Sequence, residues 1–384
     1  MLDYLLTEEQ KMIRDLARQI TDEKIRPVAA EYDKSHKFPW DVMKVMAKAD
    51  LFGVYIDEKY GGMGGGVFEL CLATEEFSKG CAGIAICYSA SALGAYPIIL
   101  HGSEEQKMKY LPAIAKGEKL AAFGLTEPGA GSDASAIATT AEKKGDHYIL
   151  NGVKHFITNG GDAEIYTIIA MTDKSKGARG ASLFVVEKGT PGFSFGKKEE
   201  KLGICASSTR ELIFDNCKIP KENLIGREGT GFIAAMRTFD MSRPGIGAQA
   251  VGIAQGALDE AVKYAKQRKQ FGKSISSFQG IQWMLADMAT ETEAARALVY
   301  ASAREVNAGV KDVGMHSAMA KLFASDVAMK VTTDAVQVFG GYGYMKEYPA
   351  EKYMRDAKIT QIYEGTNQIQ RNIIGMALIK ESAK

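Results

Sequence analysis

The sequence lacks the features that mark several large classes of protein. Its 48 lysines and arginines nearly balance its 47 aspartates and glutamates, for a formal net charge of +1. A nucleic-acid-binding protein would usually carry a basic excess, so no nucleic-acid partner is expected. None of its five histidines stands in His-Glu-x-x-His or another metal-ligand spacing, and no metal site is expected either.

A disulfide framework and a secretion signal are also missing. The five cysteines, at positions 71, 81, 87, 205 and 217, are odd in number and include no Cys-x-x-Cys pair. This pattern is typical of free thiols in a reducing compartment. The first ten residues, MLDYLLTEEQ, are too acidic and too briefly apolar for a signal peptide. Together these absences predict a cytoplasmic protein.

One stretch lacks charge altogether. Residues 80–100 contain no Asp, Glu, Lys or Arg and are long enough to cross a bilayer. Glycines, serines and Pro97 interrupt the stretch, however, and make it small and polar for a membrane helix. We therefore interpret it as a buried helix or the wall of a pocket, and expect no membrane insertion.

The 384 residues, 46% of them hydrophobic, suffice for two or three domains with a large core. Residues 1–120 are predicted to be helical. The segment from Thr7 to Gln10 has the form of a capping box. Apolar residues then recur at three- and four-residue intervals, at Leu6, Ile13, Leu16, Ala17 and Ile20. Helical spacing returns over residues 229–384, with a long helix predicted from about Val313 to Phe339, where two glycines end it.

The intervening residues 121–228 have the alternation of strands. The pair Asn151-Gly152, between apolar segments at 148–150 and 153–157, predicts a hairpin turn. Further short strands are predicted at 166–171, 181–186 and 211–214. Closely spaced strands without helices between them favour an antiparallel sheet or barrel over a doubly wound sheet.

Two stretches fit the Gly-x-Gly-x-x-Ala dinucleotide fingerprint, at 129–134 and 229–234. Neither lies in a strand–helix–strand unit, so both are weak signals. Residues 123–133 offer another interpretation. Their small-residue turn, with the hydroxyls of Thr126 and Ser132, can wrap a polar ring edge or a pyrophosphate. An ordinary glycine turn explains the same residues equally well.

Glu364 lies beside Gly365 between two predicted helices. A carboxylate in such a place can reach into a cleft without crowding and serve as a general base. From this segment alone, a surface glutamate in a loop remains the simpler interpretation.

Five segments in order decide between these alternatives. They are FGLTEPGAGSD at 123–133, KHFITN at 154–159, QRKQFG at 267–272, QVFGG at 337–341 and IYEGTN at 362–367. With them the sequence resembles the acyl-CoA dehydrogenases along essentially its whole length. The resemblance implies a mainly α fold with a central β domain. Its parts would be an N-terminal helical domain, an antiparallel β-barrel or sheet domain and a C-terminal four-helix bundle, assembled as a homotetramer.

The resemblance also assigns site residues, with FAD as cofactor and Glu364 as the catalytic base. Some relatives place their base on another helix, so a glutamate here is typical of the short- and medium-chain branches. The residues that would bind FAD are Phe123, Leu125, Thr126, Gly131, Ser132, Phe156, Ile157, Thr158, Arg268, Phe271, Gln279, Gln337, Gly341, Thr366 and Gln368. Those that would bind acyl-CoA are Ser132, Phe239, Asp240, Arg243, Tyr363 and Gly365. Arg268, Phe271 and Gln279, joined by Gln337 and Gly341, would reach FAD across a subunit interface. Phe156 stands where many members have tryptophan.

The implied reaction is the α,β-dehydrogenation of an acyl-CoA to the trans-2-enoyl-CoA, with an electron-transferring flavoprotein as acceptor. Glu364 would take the α-proton, and N5 of FAD would accept the β-hydride. No arginine or lysine lies between Lys79 and Lys107, around the expected acyl pocket at 84–97. An uncharged short or medium chain is therefore favoured, butyryl-CoA first. A branched or cyclic acyl-CoA dehydrogenase, an acyl-CoA oxidase, a flavin-binding interaction protein and the reverse direction of reaction remain alternatives.

Overall fold

The computed structural model describes residues 3–382, and helices open and close the chain. The N-terminal helices are α1 Glu8–Ile20, α2 Ala29–Ser35, α3 Trp40–Lys48, α4 Val67–Gly80, α5 Ala82–His101 and α6 Glu104–Ala115. The capping box is confirmed, because Thr7 Oγ1 accepts from Gln10 N at 3.2 Å while Gln10 Oε1 accepts from Thr7 N at 3.1 Å. Leu16 was wrongly placed in the buried stripe. It lies at the stripe's edge and is 38% exposed.

Helix α5 explains the uncharged stretch. By length and composition it could cross a membrane, but most of it is buried inside the fold. Its small residues allow the sheet to approach closely. A Cβ on Gly94 would lie 2.4 Å from Ala122 N, and Ser91 Oγ accepts from Ala121 N at 3.0 Å. The helix is thus a wall of the core, in agreement with the interpretation from sequence.

The middle of the chain forms a mixed sheet. Its strands are β1 Ala121–Gly124, β2 Thr140–Lys144, β3 His147–Thr158, β4 Ile165–Met171, β5 Ala181–Glu187, β6 Phe193–Lys198, β7 Thr209–Pro220 and β8 Leu224–Ile225. The order is β6-β7-β3-β2-β4-β5-β8, with β1 pairing with β4. Most neighbours are antiparallel, as expected, but β1 and β2 both run parallel to β4. Strands β1 and β4 are separated by 40 residues that include β2 and β3, which is long enough for the crossover that a parallel pair requires.

The hairpin predicted at Asn151-Gly152 is wrong. Strand β3 continues through both residues, and the chain reverses instead at Gly145, where Lys144 pairs with His147. Gly152 sits at a register shift between β3 and β7 with φ of 140°, and a Cβ there would meet Thr139 Cα at 2.7 Å. The glycine is therefore needed for a β-bulge and a close approach, which the Asn-Gly signal does not distinguish from a turn.

Long helices form the last part of the fold. They are α7 Gly231–Gln267, α8 Gln279–Asn307, α9 Gly314–Phe339, α10 Ala350–Thr360 and α11 Asn367–Ser382, with a small hairpin of β9 Lys269–Gln270 and β10 Lys273–Ser274 after α7. Glycines allow α7 to approach its neighbours, because a Cβ on Gly247 would lie 2.7 Å from Val299 of α8. Helix α9 ends at Phe339, as predicted, with Gly340 at φ of 62°. Between α10 and α11 the chain turns at residue 364.

Candidate active site

A cleft opens where α5, β1, β3 and α7 meet the turn between α10 and α11. Its empty volume, which includes open solvent, is about 820 Å³. Nine of the residues predicted to bind cofactor or substrate, or to act as base, line it: Phe123, Leu125, Thr126, Phe156, Ile157, Thr158, Phe239, Tyr363 and Glu364. These residues come from four separate parts of the sequence. The fold thus gathers them around one space.

The turn that carries Glu364 is held in an unusual backbone conformation. Glu364 has φ of 52° and Gly365 has φ of 89°, so both are left-handed. Such a conformation costs a non-glycine residue about 1–2 kcal/mol, which contacts elsewhere must offset. Gln370 Nε2 donates to the carbonyls of Glu364 at 3.0 Å and Gly365 at 2.9 Å. The turn therefore projects the Glu364 carboxylate into the cleft from a braced backbone.

The surroundings of the Glu364 carboxylate set its pKa. Ser242 Oγ donates to Oε2 at 2.5 Å, and the Arg243 guanidinium lies beside the turn with Nε 3.4 Å from the Glu364 carbonyl oxygen. Burial raises the pKa of Glu364 to about 7, although Ser242, Arg243 and Lys321 each act to lower it. A carboxyl group with a pKa near 7 is a far better base for a carbon acid than an ordinary glutamate.

The loop that follows β1 is fastened by a buried ion pair. Lys154 Nζ lies 2.6 Å from Glu127 Oε1 and donates to Leu125 O at 3.1 Å. Glu127 also accepts from the backbone N–H groups of Ala138 at 2.6 Å and Thr139 at 3.1 Å. Burial alone would raise the pKa of Glu127, but the Lys154 ammonium and the hydrogen bonds from Thr139 and Ala138 together outweigh this and hold the pKa below its usual value. Both ends of the loop are therefore tied to the sheet.

Between these ends most of the loop is exposed, and Gly131 and Ser132 lie there, outside the lining of the cleft. A Cβ added at Gly129 or Gly131 would have open space around it, and Ser132 is exposed. Phe156, which lines the cleft, lies at a bulge of β3 with φ of 58° and is 59% exposed. A large aromatic face held open by a strained bulge fits a flat ring system that would cover it, and the loop fits that ring's polar edge.

Residues predicted to hold the rest of the substrate and cofactor flank the cleft. Arg243 also pairs through Nη1 with the carboxylate of Asp240, at 3.1 Å. Asp240 lies one turn earlier on α7. Gly365 shares the turn with Glu364. Thr366 directly precedes α11 and its hydroxyl accepts from Ile369 N at 3.3 Å, while Gln368 is exposed in the first turn of that helix.

The remaining predicted residues lie outside this cleft in the single chain. Arg268 and Gly341 line a second cleft, of about 950 Å³, at the end of α9. Arg268 stacks 5.2 Å from the Tyr342 ring centroid there. Phe271 is 92% exposed at the tip of the β9–β10 hairpin. Gln279 begins α8, and Gln337 lies in the last turn of α9. One chain alone does not bring these residues to Glu364.

Several site residues were not identified from the sequence. Glu127 and Lys154 lie inside the quoted segments, but charged residues in a loop and a strand gave no reason to expect a buried pair. Ser242 precedes Arg243 and carries no signal of its own. Lys321 lies in the middle of α9 and reaches the Glu364 turn only because the fold places α9 beneath it. Long-range contacts of this kind have no local sequence pattern.

Models of known protein families match the chain in three consecutive parts. The acyl-CoA dehydrogenase N-terminal domain matches residues 7–118, the middle domain residues 122–217 and the C-terminal domain residues 229–379. The chain belongs to the acyl-CoA dehydrogenase family. Acyl-CoA dehydrogenases are flavoenzymes that carry FAD.

Curated relatives include acyl-CoA dehydrogenases and a reductase of similar length. The short-chain specific acyl-CoA dehydrogenase of Clostridium acetobutylicum is 52% identical over 374 residues, which cover 97% of this chain and 98% of that protein. The acryloyl-CoA reductase (NADH) of Anaerotignum propionicum is 50% identical over 381 residues, 99% of this chain and 96% of that protein. The family therefore includes close relatives named for opposite directions of reaction.

Solved structures share the whole fold. Butyryl-CoA dehydrogenase from Megasphaera elsdenii is 50% identical with a TM-score of 0.95, covering 97% of this chain and 99% of that one. A chain from a structure described as the electron transferring flavoprotein of Acidaminococcus fermentans, in work on flavin-based electron bifurcation, is 56% identical with a TM-score of 0.96, covering 97% and 98%. An acyl-CoA dehydrogenase from Bacillus anthracis complexed with FAD is 37% identical with a TM-score of 0.92, covering 98% of this chain and 68% of that one.

Proposed function

We propose that this acyl-CoA dehydrogenase oxidises a short, uncharged acyl-CoA to the trans-2-enoyl-CoA, with Glu364 as the base that removes the α-proton. The observation that carries the proposal is the Glu364 carboxyl group, braced in a left-handed turn and directed into a cleft beside Phe156 and Thr158. FAD, held along the 125–132 loop and against Phe156, would supply the acceptor for the hydride that leaves the β carbon.

The chain's own residues prepare the proton transfer. Burial disfavours the charged carboxylate and so makes it a stronger base, while the Ser242 hydroxyl keeps it oriented. A short acyl chain filling the cleft would exclude water and strengthen this effect. Backbone N–H groups of the turn are suitable donors to a thioester oxygen, where each such donor contributes roughly 3–4 kcal/mol to the stability of a developing enolate.

The cleft favours a short acyl chain without charge. The apolar part of its lining includes Leu70, Ile86, Ala90, Leu93, Gly245 and Ile246. The polar side chains nearby are the neutral Ser89 and Tyr96. A carboxylate at the far end of a substrate would need a buried cation, and none of the residues lining the cleft supplies one. Butyryl-CoA is therefore the first candidate, and a small branched chain the second.

We expect the purified holoenzyme to be bleached anaerobically by butyryl-CoA faster than by octanoyl-CoA or glutaryl-CoA.

Substitutions of Gly245 test where the acyl chain lies, because a Cβ there would point into free space, with Leu70 Cδ2 the nearest atom at 3.9 Å. Gly245→Val should lower kcat/KM for hexanoyl-CoA about tenfold more than for butyryl-CoA, and Gly245→Ala should have a smaller effect in the same direction. Equal losses for all chain lengths would place the acyl chain elsewhere. Failure of every acyl-CoA to bleach the flavin would refute the proposed reaction.

The pH dependence follows from the raised pKa of Glu364. Below about 7 the carboxyl group keeps its proton and cannot act as a base, so kcat/KM should rise as the pH increases through about 7 and then level off. Stopped-flow bleaching from pH 5.5 to 9 measures this limb. A rate that does not change over this range would place the pKa near 4.5, the ordinary value for glutamate, and would show that the turn leaves the carboxylate solvated.

Other features of the chain support proposals about its partners. Phe271 and Trp283 are 92% and 62% exposed, an apolar surface that a homotetramer would cover while bringing Arg268 and Gln279 to a neighbour's FAD.

All five cysteines are free and buried, which suits a cytoplasmic location. We further propose residues 1–120, 121–228 and 229–384 as the domains, and an electron-transferring flavoprotein as the electron acceptor. The 56% identical chain from the structure described as the electron transferring flavoprotein of Acidaminococcus fermentans supports that partner.

A further inference from the structure

A buried lysine lies directly beneath the turn that carries Glu364. Lys321, on α9, is fully buried, and its Nζ donates to Gly365 O at 2.8 Å and to Asn367 Oδ1 at 2.8 Å. Both acceptors are neutral oxygens. A buried ammonium held by neutral groups is costly, so charges slightly farther away strongly affect how readily it ionises. The position of those charges indicates what the lysine acts on.

Three charged groups act on Lys321: Asp326 on its own helix, Arg243 on α7 and Glu364 on the turn. Glu364 and Asp326 raise its pKa, whereas Arg243 lowers it. Burial is the largest influence, and the resulting pKa is about 7. The effect is reciprocal, because Lys321 is also one of the groups that lower the pKa of Glu364. The lysine and the carboxyl group are therefore electrostatically coupled.

The hydrogen bonds of Lys321 also complete the support of the turn. Gln370 reaches the carbonyls of Glu364 and Gly365 from α11, while Lys321 reaches the Gly365 carbonyl from α9. Asn367, the other partner of Lys321, is fixed by donating to Ser325 at 2.9 Å and to Asp326 at 2.8 Å. Helices α9 and α11 thus both donate hydrogen bonds to the strained turn, and the direction of the Glu364 side chain depends on both.

We propose that Lys321 is a positioning residue for Glu364: it fixes the Gly365 carbonyl, and its ammonium group favours the ionised carboxylate. The inference rests on the proposed function, because it takes Glu364 as the base. It predicts that removal of the lysine charge makes the carboxylate harder to ionise, in addition to any effect on the fold. A purely structural lysine would change stability alone.

The test compares Lys321→Met and Lys321→Gln with wild type and with Ser325→Ala. The control removes a hydrogen-bond partner of Asn367 from the same cluster and keeps the lysine. Ionisation of Glu364 is followed by infrared difference spectroscopy against Glu364→Gln over pH 5–9, which requires no turnover. In both neutral variants the midpoint should rise by about one unit. Ser325→Ala should leave it unchanged.

The kinetic consequence is measured in parallel, by anaerobic bleaching with butyryl-CoA. A rise of about one unit should lower the rate about fivefold at pH 7, with recovery toward pH 9 and little change in KM. An unchanged infrared midpoint, a rate loss independent of pH, or failure of both neutral variants to fold with FAD would overturn the inference. If wild type itself is not bleached, the proposed function fails, and the infrared midpoint still decides the role of Lys321.

Discussion

Replacement of Glu364 by glutamine is expected to leave FAD and acyl-CoA binding intact and to slow anaerobic bleaching by substrate about 10³-fold or more. Glutamine has the size of glutamate and can adopt the same left-handed turn, where its amide still meets the Ser242 hydroxyl. It cannot accept the α-proton. Stopped-flow absorbance of the flavin measures the bleaching rate, and titration with acyl-CoA measures binding.

A matched control makes this result specific. Glu347→Gln introduces the same chemical change at an exposed site and should bleach at the wild-type rate. The pH dependence of stability gives an independent check. Because the folded-state pKa of Glu364 lies above its ordinary value, the folded state retains a proton that the unfolded chain loses, and stability falls as the pH rises toward 7. Glu364→Gln should remove this decline. Near-normal bleaching in Glu364→Gln would exclude residue 364 as the base.

Local sequence patterns predicted the elements that depend on neighbouring residues. The capping box at Thr7 and the end of α9 at Gly340 follow from hydrogen bonding and backbone freedom within a few residues. Strands β4 and β5 were predicted almost to their ends. The Asn151-Gly152 signal failed because a glycine that permits a bulge and a glycine that permits a turn look alike in sequence. Only the pairing of β3 with β7 distinguishes them.

Prediction of the candidate site shows a different limit. The motifs predicted Phe156, Thr158 and Glu364 as site residues, and in the fold all three line one cleft. The groups that tune Glu364 remained hidden, since Ser242 and Lys321 come from helices more than 40 residues away in the chain. Their contacts depend on how α7 and α9 pack. A resemblance to a family transfers motif positions, whereas the electrostatic setting of a base requires the three-dimensional arrangement.

Removal of the Lys154 charge is expected to cause the largest loss of stability among single changes near the cleft. Lys154 is fully buried, and Lys154→Met would leave the Glu127 carboxylate buried without a cation. Breaking one side of a buried pair in this way costs about 3–5 kcal/mol. The 125–132 loop would lose its tie to β3, so FAD should also dissociate more readily. Urea unfolding measures the free energy, and FAD retained after gel filtration measures the cofactor.

The double variant separates the charge from the shape. Lys154→Met with Glu127→Gln removes both charges, keeps the side-chain lengths, and leaves one oxygen to accept from the Ala138 or Thr139 backbone. It should recover a large part of the lost stability, because no unpaired charge remains buried. FAD retention should recover less, since Leu125 O loses its donor in both variants. If the single and double variants are equally unstable, packing of the lysine stem holds the loop and the ion pair does not.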